Sequence, residues 1–478
     1  MTLGTSYRIL AMLSRVRLIL TMAALAGCLL VTPTPSSRAQ DIPHLQFVSA
    51  LADAIDQTQL TPRERLGLRL FFDASLSEPA GVACASCHDP RRAFTGNNNT
   101  MIGVALGSRS DQFGTRDAPT IMYLATTPRF SRSGAVDLDG KRFPVGGHFW
   151  DGRADTLEEQ ATQPFFNAVE MNNADTPALI AKVAKSAYAG AFRAVWGERI
   201  FDNAETALGA VAASLAAFER TRVFQPFSSK FDHVMRGQAK FSEQEQRGLN
   251  LFTLRQKGNC AQCHTVDTAS GNPQKSLFTD FSYRALGLPR SQRIPRNADP
   301  SFVDLGLCER VPVALNGQGK AAGSTATSAA VVRPLAQDPA TCGLFKTPTL
   351  RNITVTAPYM HNGVFDDLRD AVTFYATRDT DPARWFPAGK KFNDLPARYH
   401  SNVDVDNPPY QRRPEQAPQL SNEEIDDIVA FLYTLTDGYA PPGSTRAVPS
   451  TMVTPAQSPN PNPKPAPAVL PPASRGEY

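Results

Sequence analysis

The sequence predicts a mainly α protein built from two similar halves. Three observations predict it. A capped helix followed by a Cys-x-x-Cys-His motif occurs twice, over 61–88 and 242–264. Two further helical patterns stand where each half would close. The period-2 alternation of half-buried strands is scarce.

The elements follow in chain order. Arg8, Arg15 and Arg17 precede an apolar run from Leu18 to Val31, and a polar Pro/Ser stretch then leads to Ser37-Arg38-Ala39. This is an export signal over 1–39, cut before Gln40, because the apolar run is short for a membrane span. Leu25-Ala26-Gly27-Cys28 supports a second reading, a lipid anchor on Cys28, against which stands the apolar Leu29-Leu30-Val31 that follows. Thr61-Pro62-Arg63-Glu64 is a capping box with proline at the first helical position, continued by Leu66-Gly67-Leu68-Arg69-Leu70-Phe71. Ala204 to Thr221 is the helix that closes the first half, 40–225. Ser242-Glu243-Gln244-Glu245 opens the second copy, followed by Arg247-Gly248-Leu249-Asn250-Leu251-Phe252. Ser421-Asn422-Glu423-Glu424 opens a helix whose apolar positions Ile425, Ile428, Val429, Leu432 and Leu435 keep helical spacing, and it closes the second half, 226–438. The segment 311–335, rich in Gly, Ala, Ser and Thr, reads as a long surface loop. The Pro-rich tail, 439–478, has too few large apolar residues to offset ordering and is expected to be disordered.

Charge excludes one class of function. Lys and Arg number 49, Asp and Glu 45, and residues 1–39 hold four arginines and no acid, so the remainder balances at 45 of each. Nucleic-acid binding would need a clustered basic excess.

The strongest chemistry lies in Cys84-Ala85-Ser86-Cys87-His88 and Cys260-Ala261-Gln262-Cys263-His264. Two thiols at this spacing can each add to one vinyl group of a single haem, and the histidine then turns back to ligate the iron. A redox pair of cysteines is the plainer alternative, but two such matches are rare among seven Cys and seven His. Zinc is a poor rival, because the pairs sit far apart and each carries its own histidine. The expectation is therefore two cytochrome c-like domains, each binding one covalently attached haem c. Cys308 and Cys342 flank the long loop. Pairing them would close a loop of 34 residues and stabilise by about 3–4 kcal/mol in the chain-entropy model. Two free buried thiols are the alternative.

The first half carries more polar material than an electron carrier needs: Phe149-Trp150-Asp151-Gly152-Arg153, then Gln160, Pro164 and Val169-Glu170-Met171. Taken alone, Glu170 reads as a solvated acid and Trp150 as core. Together with the two haem motifs, Thr347-Pro348-Thr349-Leu350-Arg351-Asn352 and Thr356-Ala357-Pro358-Tyr359-Met360-His361, they resemble the bacterial dihaem cytochrome c peroxidases and their relative MauG. The resemblance spans about residues 58–437 and leaves out the signal, the 299–343 insertion and the tail.

What it implies is a peroxidatic haem in the first half and an electron-transfer haem in the second. His88 and His264 would be the proximal ligands. Glu170 matches the distal glutamate, with Gln160 and Pro164 shaping its pocket, and Trp150 the tryptophan between the haems. Asp117 falls where the family has Asn at a calcium ion, with the carbonyls of Thr356 and Pro358 as further ligands. Two departures matter. Activated peroxidases carry a His in the loop after the first haem, and 89–116 contains none. Where they supply Met to the second haem, this chain has Tyr375, the MauG-like choice, with Met360 as the nearest alternative. The implied function is reduction of hydrogen peroxide with electrons from a small periplasmic donor, a cytochrome c or a cupredoxin. MauG-like oxidation of a partner protein is the second reading, although MauG's surface tryptophan before its second haem motif is Gly258 here. A dihaem electron carrier is a third reading, disfavoured because a carrier has no use for Glu170 beside an open iron. A homodimer is left open.

Overall fold

The computed structural model describes residues 60–100, 102–136, 142–310 and 338–439. The export signal with Cys28, the 311–335 loop and all of the tail but Tyr439 lie outside them. Helix α1 (Pro62–Phe71) starts at its capping box: the Thr61 hydroxyl accepts from the Glu64 N–H, and the Glu64 carboxylate accepts from the Thr61 N–H. A single turn, α2 (Cys84–Cys87), carries the first motif. Then come α3 (Leu157–Phe166), α4 (Thr176–Lys185), α5 (Ala189–Trp196) and α6 (Ala204–Glu219). The rest of the chain adds α7 (Lys230–Met235), α8 (Glu243–Thr253), α9 (Leu368–Thr377), the short α10 (Pro382–Trp385) and α11 (Asn422–Tyr433). Both α8 and α11 begin at the capping boxes the sequence shows. Among the described residues no helix is long and apolar enough to cross a membrane.

The repeat has a physical cause. Helix α1 crosses α6, and α8 crosses α11. A methyl group at Gly67 would stand 2.0 Å from the Ser214 carbonyl oxygen, and one at Gly248 would stand 1.9 Å from that of Asp427. Each copy therefore needs glycine where two helix backbones touch. An alanine at either position would force the helices apart. Around the first crossing, Phe71, Phe94, Phe218 and Phe224 meet mostly edge to face. Around the second, Phe231, Phe252, Phe278 and Phe431 do the same, joined by Ile425, Ile428 and Phe374. Fully burying each such ring is worth about 1.5–3 kcal/mol.

Three two-stranded antiparallel ribbons complete the described fold: β1 (His88–Asp89) with β2 (Thr95–Gly96), β3 (Ser131–Val136) with β4 (Arg142–Val145), and β5 (Tyr283–Arg284) with β6 (Phe345–Lys346). The first pairs His88 with Gly96 and so turns the chain back directly after the Cys-x-x-Cys turn. The third places Lys346 opposite Tyr283.

Thr347 to Asn352 is framework. Arg351 is fully buried and grips the equally buried Asp232 through two bonds of 2.9 and 3.0 Å, with the carbonyls of Ser276 and Pro273 taking further N–H groups. Removing one partner of such a pair costs about 3–5 kcal/mol. Cys308 and Cys342 form a disulfide. Beside it, the N–H groups of Leu307 and Gly343 donate to Leu344 and Leu305 at 2.8 Å each, which closes the base of the insertion.

Candidate active site

Each Cys-x-x-Cys-His motif ends in a cavity. The first, of about 420 Å³, is lined by Cys84, Cys87, His88, Trp150, Gln160, Pro164 and Glu170, with apolar walls that include Phe71, Ile121 and Leu215. The second, of about 210 Å³, is lined by Cys260, Cys263, His264, Tyr375 and Met360, with Leu286, Leu350 and Ile428 among its apolar walls. Trp150 lines both.

The donor groups fit haem. His88 Nδ1 lies 2.9 Å from the Phe94 carbonyl, and His264 Nδ1 lies 2.9 Å from that of Phe278. A carbonyl only accepts, so the proton sits on Nδ1 and Nε2 is left bare, as a metal-ligating imidazole requires. Burial lowers both histidine pKa values and keeps the rings neutral. The four cysteines are not in disulfides. Burial pushes the thiols of Cys84, Cys87 and Cys260 up to about 12 and that of Cys263 to about 11. Reactive Cys-x-x-Cys thiols are shifted the other way. The thiol shifts argue against a redox pair, and the histidine geometry suits haem iron.

Glu170 reaches the first cavity because the chain reverses after α3. The N–H of Met171 donates back to Pro164 O at 3.1 Å, and that of Glu170 donates to Asn167 O at 3.0 Å. The Asn167 amide holds Glu170 Oε1 at 2.9 Å. From the neighbouring segment, the Ser108 N–H donates to Glu170 O at 2.7 Å. Burial raises the Glu170 pKa, with Arg153 and the Asn167 bond opposing it. Gln160 stands one turn before Pro164 on α3, facing the same space. From the loop 89–116 the described residues at the cavity are Ala105, Gly114, Thr115 and Arg116, none an iron ligand.

Trp150 is aimed by its neighbours. Its Nε1 donates to Asp117 O at 2.9 Å, and its own carbonyl accepts from the Lys346 N–H at 2.8 Å. Arg116 bridges Asp151 and Asp304 at 2.6 Å each, and Arg153 bonds Asp151 while its guanidinium lies 3.5 Å above Phe149. Burial works against the charge on Asp151, but Arg153 and Arg116 hold its carboxyl well below the usual range. On the second cavity's side, His361 stacks on Phe345 at 3.5 Å and meets Trp150 edge-on at 6.4 Å.

Of the calcium candidates, Asp117 is tied to the segment that holds Thr356 and Pro358 through His361 and Arg92. Asp117 is buried, and burial raises its pKa well above the ordinary carboxylate value. Its Oδ1 accepts from the Asn97 amide at 2.6 Å, and its N–H donates to His361 O at 2.8 Å. The guanidinium of Arg92 donates to the carbonyl of Ala357, the residue between Thr356 and Pro358, and its charge also favours ionised Asp117. A carboxylate is a donor that suits calcium, and Arg92 is a cation already at the same place.

Three residues escaped the sequence reading. His148 lines the first cavity with Nδ1 buried and without a partner among the described residues, and burial, aided by Lys346 and Arg220, lowers its pKa to about 3. Glu219, at the end of α6, lines the same cavity with Oε2 without a partner among the described residues, and burial pushes it to about 8. Its place one helical turn after the buried Leu215 puts an acid on an apolar stripe, which is a signal. Tyr410 lines the second cavity beside Tyr375, and nothing local in the sequence marks it.

Two thiol–imidazole sites, one tryptophan common to their cavities and a carboxylate in the first define a helical oxidoreductase of the c-type haem class. The chain belongs to the di-haem cytochrome c peroxidase family: the family model of that description matches residues 61–240. The methylamine utilization protein MauG of Paracoccus denitrificans is 38% identical over 388 residues, covering 78% of this chain and 88% of that protein. The cytochrome c551 peroxidase of Nitrosomonas europaea is 30% identical over 311 residues, 64% of this chain and 70% of that one. Among solved structures, the diheme peroxidase BthA from Burkholderia thailandensis matches with a TM-score of 0.69 at 40% identity, covering 78% of this chain and 86% of that one.

Proposed function

We propose that the protein reduces hydrogen peroxide to water in the first cavity, with electrons from a small periplasmic donor such as a cytochrome c or a cupredoxin. The observation that carries this is Glu170, held by Asn167 in the cavity that also holds His88. Cys84, Cys87 and His88 would hold one haem, and Cys260, Cys263, His264 and Tyr375 the other, in two cytochrome c-like domains divided near residue 225. When bound, the haems supply redox-active iron and carry the two electrons that the reaction H2O2 + 2e− + 2H+ → 2H2O consumes. Glu170, ionised at rest, takes the proton from one peroxide oxygen and returns it to the outer one, which leaves as water. Gln160 and Pro164 bound the space in which peroxide lies. Trp150, lining both cavities, relays charge between them. Calcium, held by Asp117 and the carbonyls of Thr356 and Pro358, would fix the segment to which the Trp150 indole is bonded. Export to the periplasm, by simple cleavage or with a lipid anchor on Cys28, fits haem attachment outside the cytoplasm.

A second reading, peroxide-dependent oxidation of a partner protein in the manner of MauG, is favoured by one observation: a tyrosine, Tyr375, stands at the second cavity where the activated peroxidases have methionine. The two readings part in one assay. Turnover of peroxide with reduced cytochrome c or cupredoxin, at two donors oxidised per peroxide, supports the first. Peroxide that is consumed slowly with every small donor, yet oxidises a second protein, supports the other.

A further inference from the structure

We infer that Tyr410 is a positioning residue whose hydroxyl donates a hydrogen bond to the Tyr375 oxygen and so tunes the second haem. The inference rests on the reading of Tyr375 as that haem's ligand.

Tyr375 and Arg378 stand three residues apart at the end of α9, one turn along a helix face. Tyr410 contacts both. Its ring lies 5.7 Å from that of Tyr375, tilted by 30°, and the Arg378 guanidinium sits 3.9 Å above its centroid. Arg378 is fixed there. It is 0% exposed, it pairs with Asp379, and it donates to the carbonyls of Leu286 at 2.8 Å and Asp404 at 2.6 Å. The segment that carries Tyr410 is fixed as well. The Asp404 carboxylate accepts from the Asn407 N–H at 3.2 Å, the Tyr410 N–H donates to Asn407 O at 2.8 Å, and the Asp404 N–H donates to Ala285 O at 3.0 Å.

Within this rigid setting the Tyr410 hydroxyl is buried and makes no hydrogen bond of ordinary length among the described residues, the Tyr375 side chain being the acceptor it interacts with. Leaving a buried hydroxyl unpaired is costly, so a fold that holds one in place this firmly provides it with an acceptor. Tyr410 and Tyr375 line the same cavity. The Tyr375 oxygen, once it binds iron, keeps a lone pair that can accept. Donation from Tyr410 draws electron density from that oxygen and weakens its hold on the higher oxidation state. The cation over the Tyr410 ring polarises the hydroxyl in the same sense. The second haem's potential is then higher than an unassisted tyrosine ligand would make it.

The test compares the haem-loaded wild type, Tyr410→Phe and Tyr375→Phe by resonance Raman spectroscopy in H2O and D2O and by redox titration. The expected result is tyrosine-ligand bands that shift in D2O in the wild type. In Tyr410→Phe the bands should persist, their solvent shift should vanish, and the second potential should fall. If Tyr375→Phe loses the bands while Tyr410→Phe keeps both bands and solvent shift, Tyr410 is not the donor and the ligand reading survives. A fall in potential with the solvent shift intact assigns the hydroxyl to a haem carboxylate and overturns the inference. If Tyr375→Phe changes nothing, the ligand reading fails and the inference with it. Should Tyr410→Phe not take up haem, the wild type decides alone, because bands without a solvent shift rule out the hydrogen bond.

Discussion

Replacing Glu170 with Gln removes the proton acceptor and very little else. The side chains are equal in size, and the glutamine Oε1 can keep the 2.9 Å bond from Asn167. The reversal after α3 depends on backbone bonds and is untouched. A positioned acid–base group contributes about 10²–10⁴-fold. The upper part of that range applies to a site with no substitute. Here Glu219 lines the same cavity and can pass some protons, whereas His148, with its pKa lowered to about 3, is a poor proton acceptor. The expected loss is therefore about 10²–10³-fold, or roughly 3–4 kcal/mol of barrier. The pH profile carries a second signature. The base works ionised and its pKa is raised, so the wild-type rate should climb with pH through a value above the ordinary carboxylate range, and the variant should lack that limb. Stopped-flow measurement of the peroxide reaction from pH 4 upward reads both effects. A variant within about threefold of wild type that keeps the acid limb would remove Glu170 from the mechanism.

Three other outcomes are expected. Tyr375→Met should raise the second haem's potential, since thioether ligands favour ferrous iron, and a redox titration with no change would return Tyr375 to the core. Prolonged chelation with EGTA should lower the melting temperature and perturb the haem spectra, with recovery on adding calcium; a chelator-insensitive protein free of calcium by elemental analysis would leave the charge of Asp117 to Arg92 alone. Glu219→Gln should stabilise the fold increasingly as pH rises. In the fold Glu219 stays protonated to about 8, whereas the unfolded chain ionises above its ordinary value, so wild-type stability is lost across that interval and the variant escapes the loss. The gap in melting temperature should widen from pH 5 to pH 9, and a constant gap would contradict the argument.

Local signals made much of the fold legible. The capping boxes at Thr61, Ser242 and Ser421 each open a helix, because a cap is decided by residues three apart. The repeated glycines were visible as a pattern, but their reason, two helix backbones in contact, exists only once α1 meets α6 and α8 meets α11. The β3–β4 ribbon was missed because Gly134 and Pro144 break the alternation a strand should show, although Asp139-Gly140 is a turn signal. In the site, Cys84, Cys87, His88 and their second-half counterparts were legible from spacing, and Glu170 and Trp150 were singled out only by family resemblance. Residues that act through long-range partners were not legible. Arg116 meets Asp304 across 188 positions, and Tyr410 reaches Tyr375 from a separate loop. No local periodicity encodes such pairs.

The oxidised protein should need no prior reduction to react with peroxide, because no histidine between Asp89 and Arg116 can cap the first iron. Stopped-flow mixing of the fully oxidised, haem-loaded protein with hydrogen peroxide, followed by reduced cytochrome c, tests it directly. An immediate change in haem absorption is expected, followed by oxidation of two cytochromes per peroxide. A protein that stays inert to peroxide until one haem has been reduced, and whose oxidised form shows only low-spin iron by electron paramagnetic resonance, would contradict it.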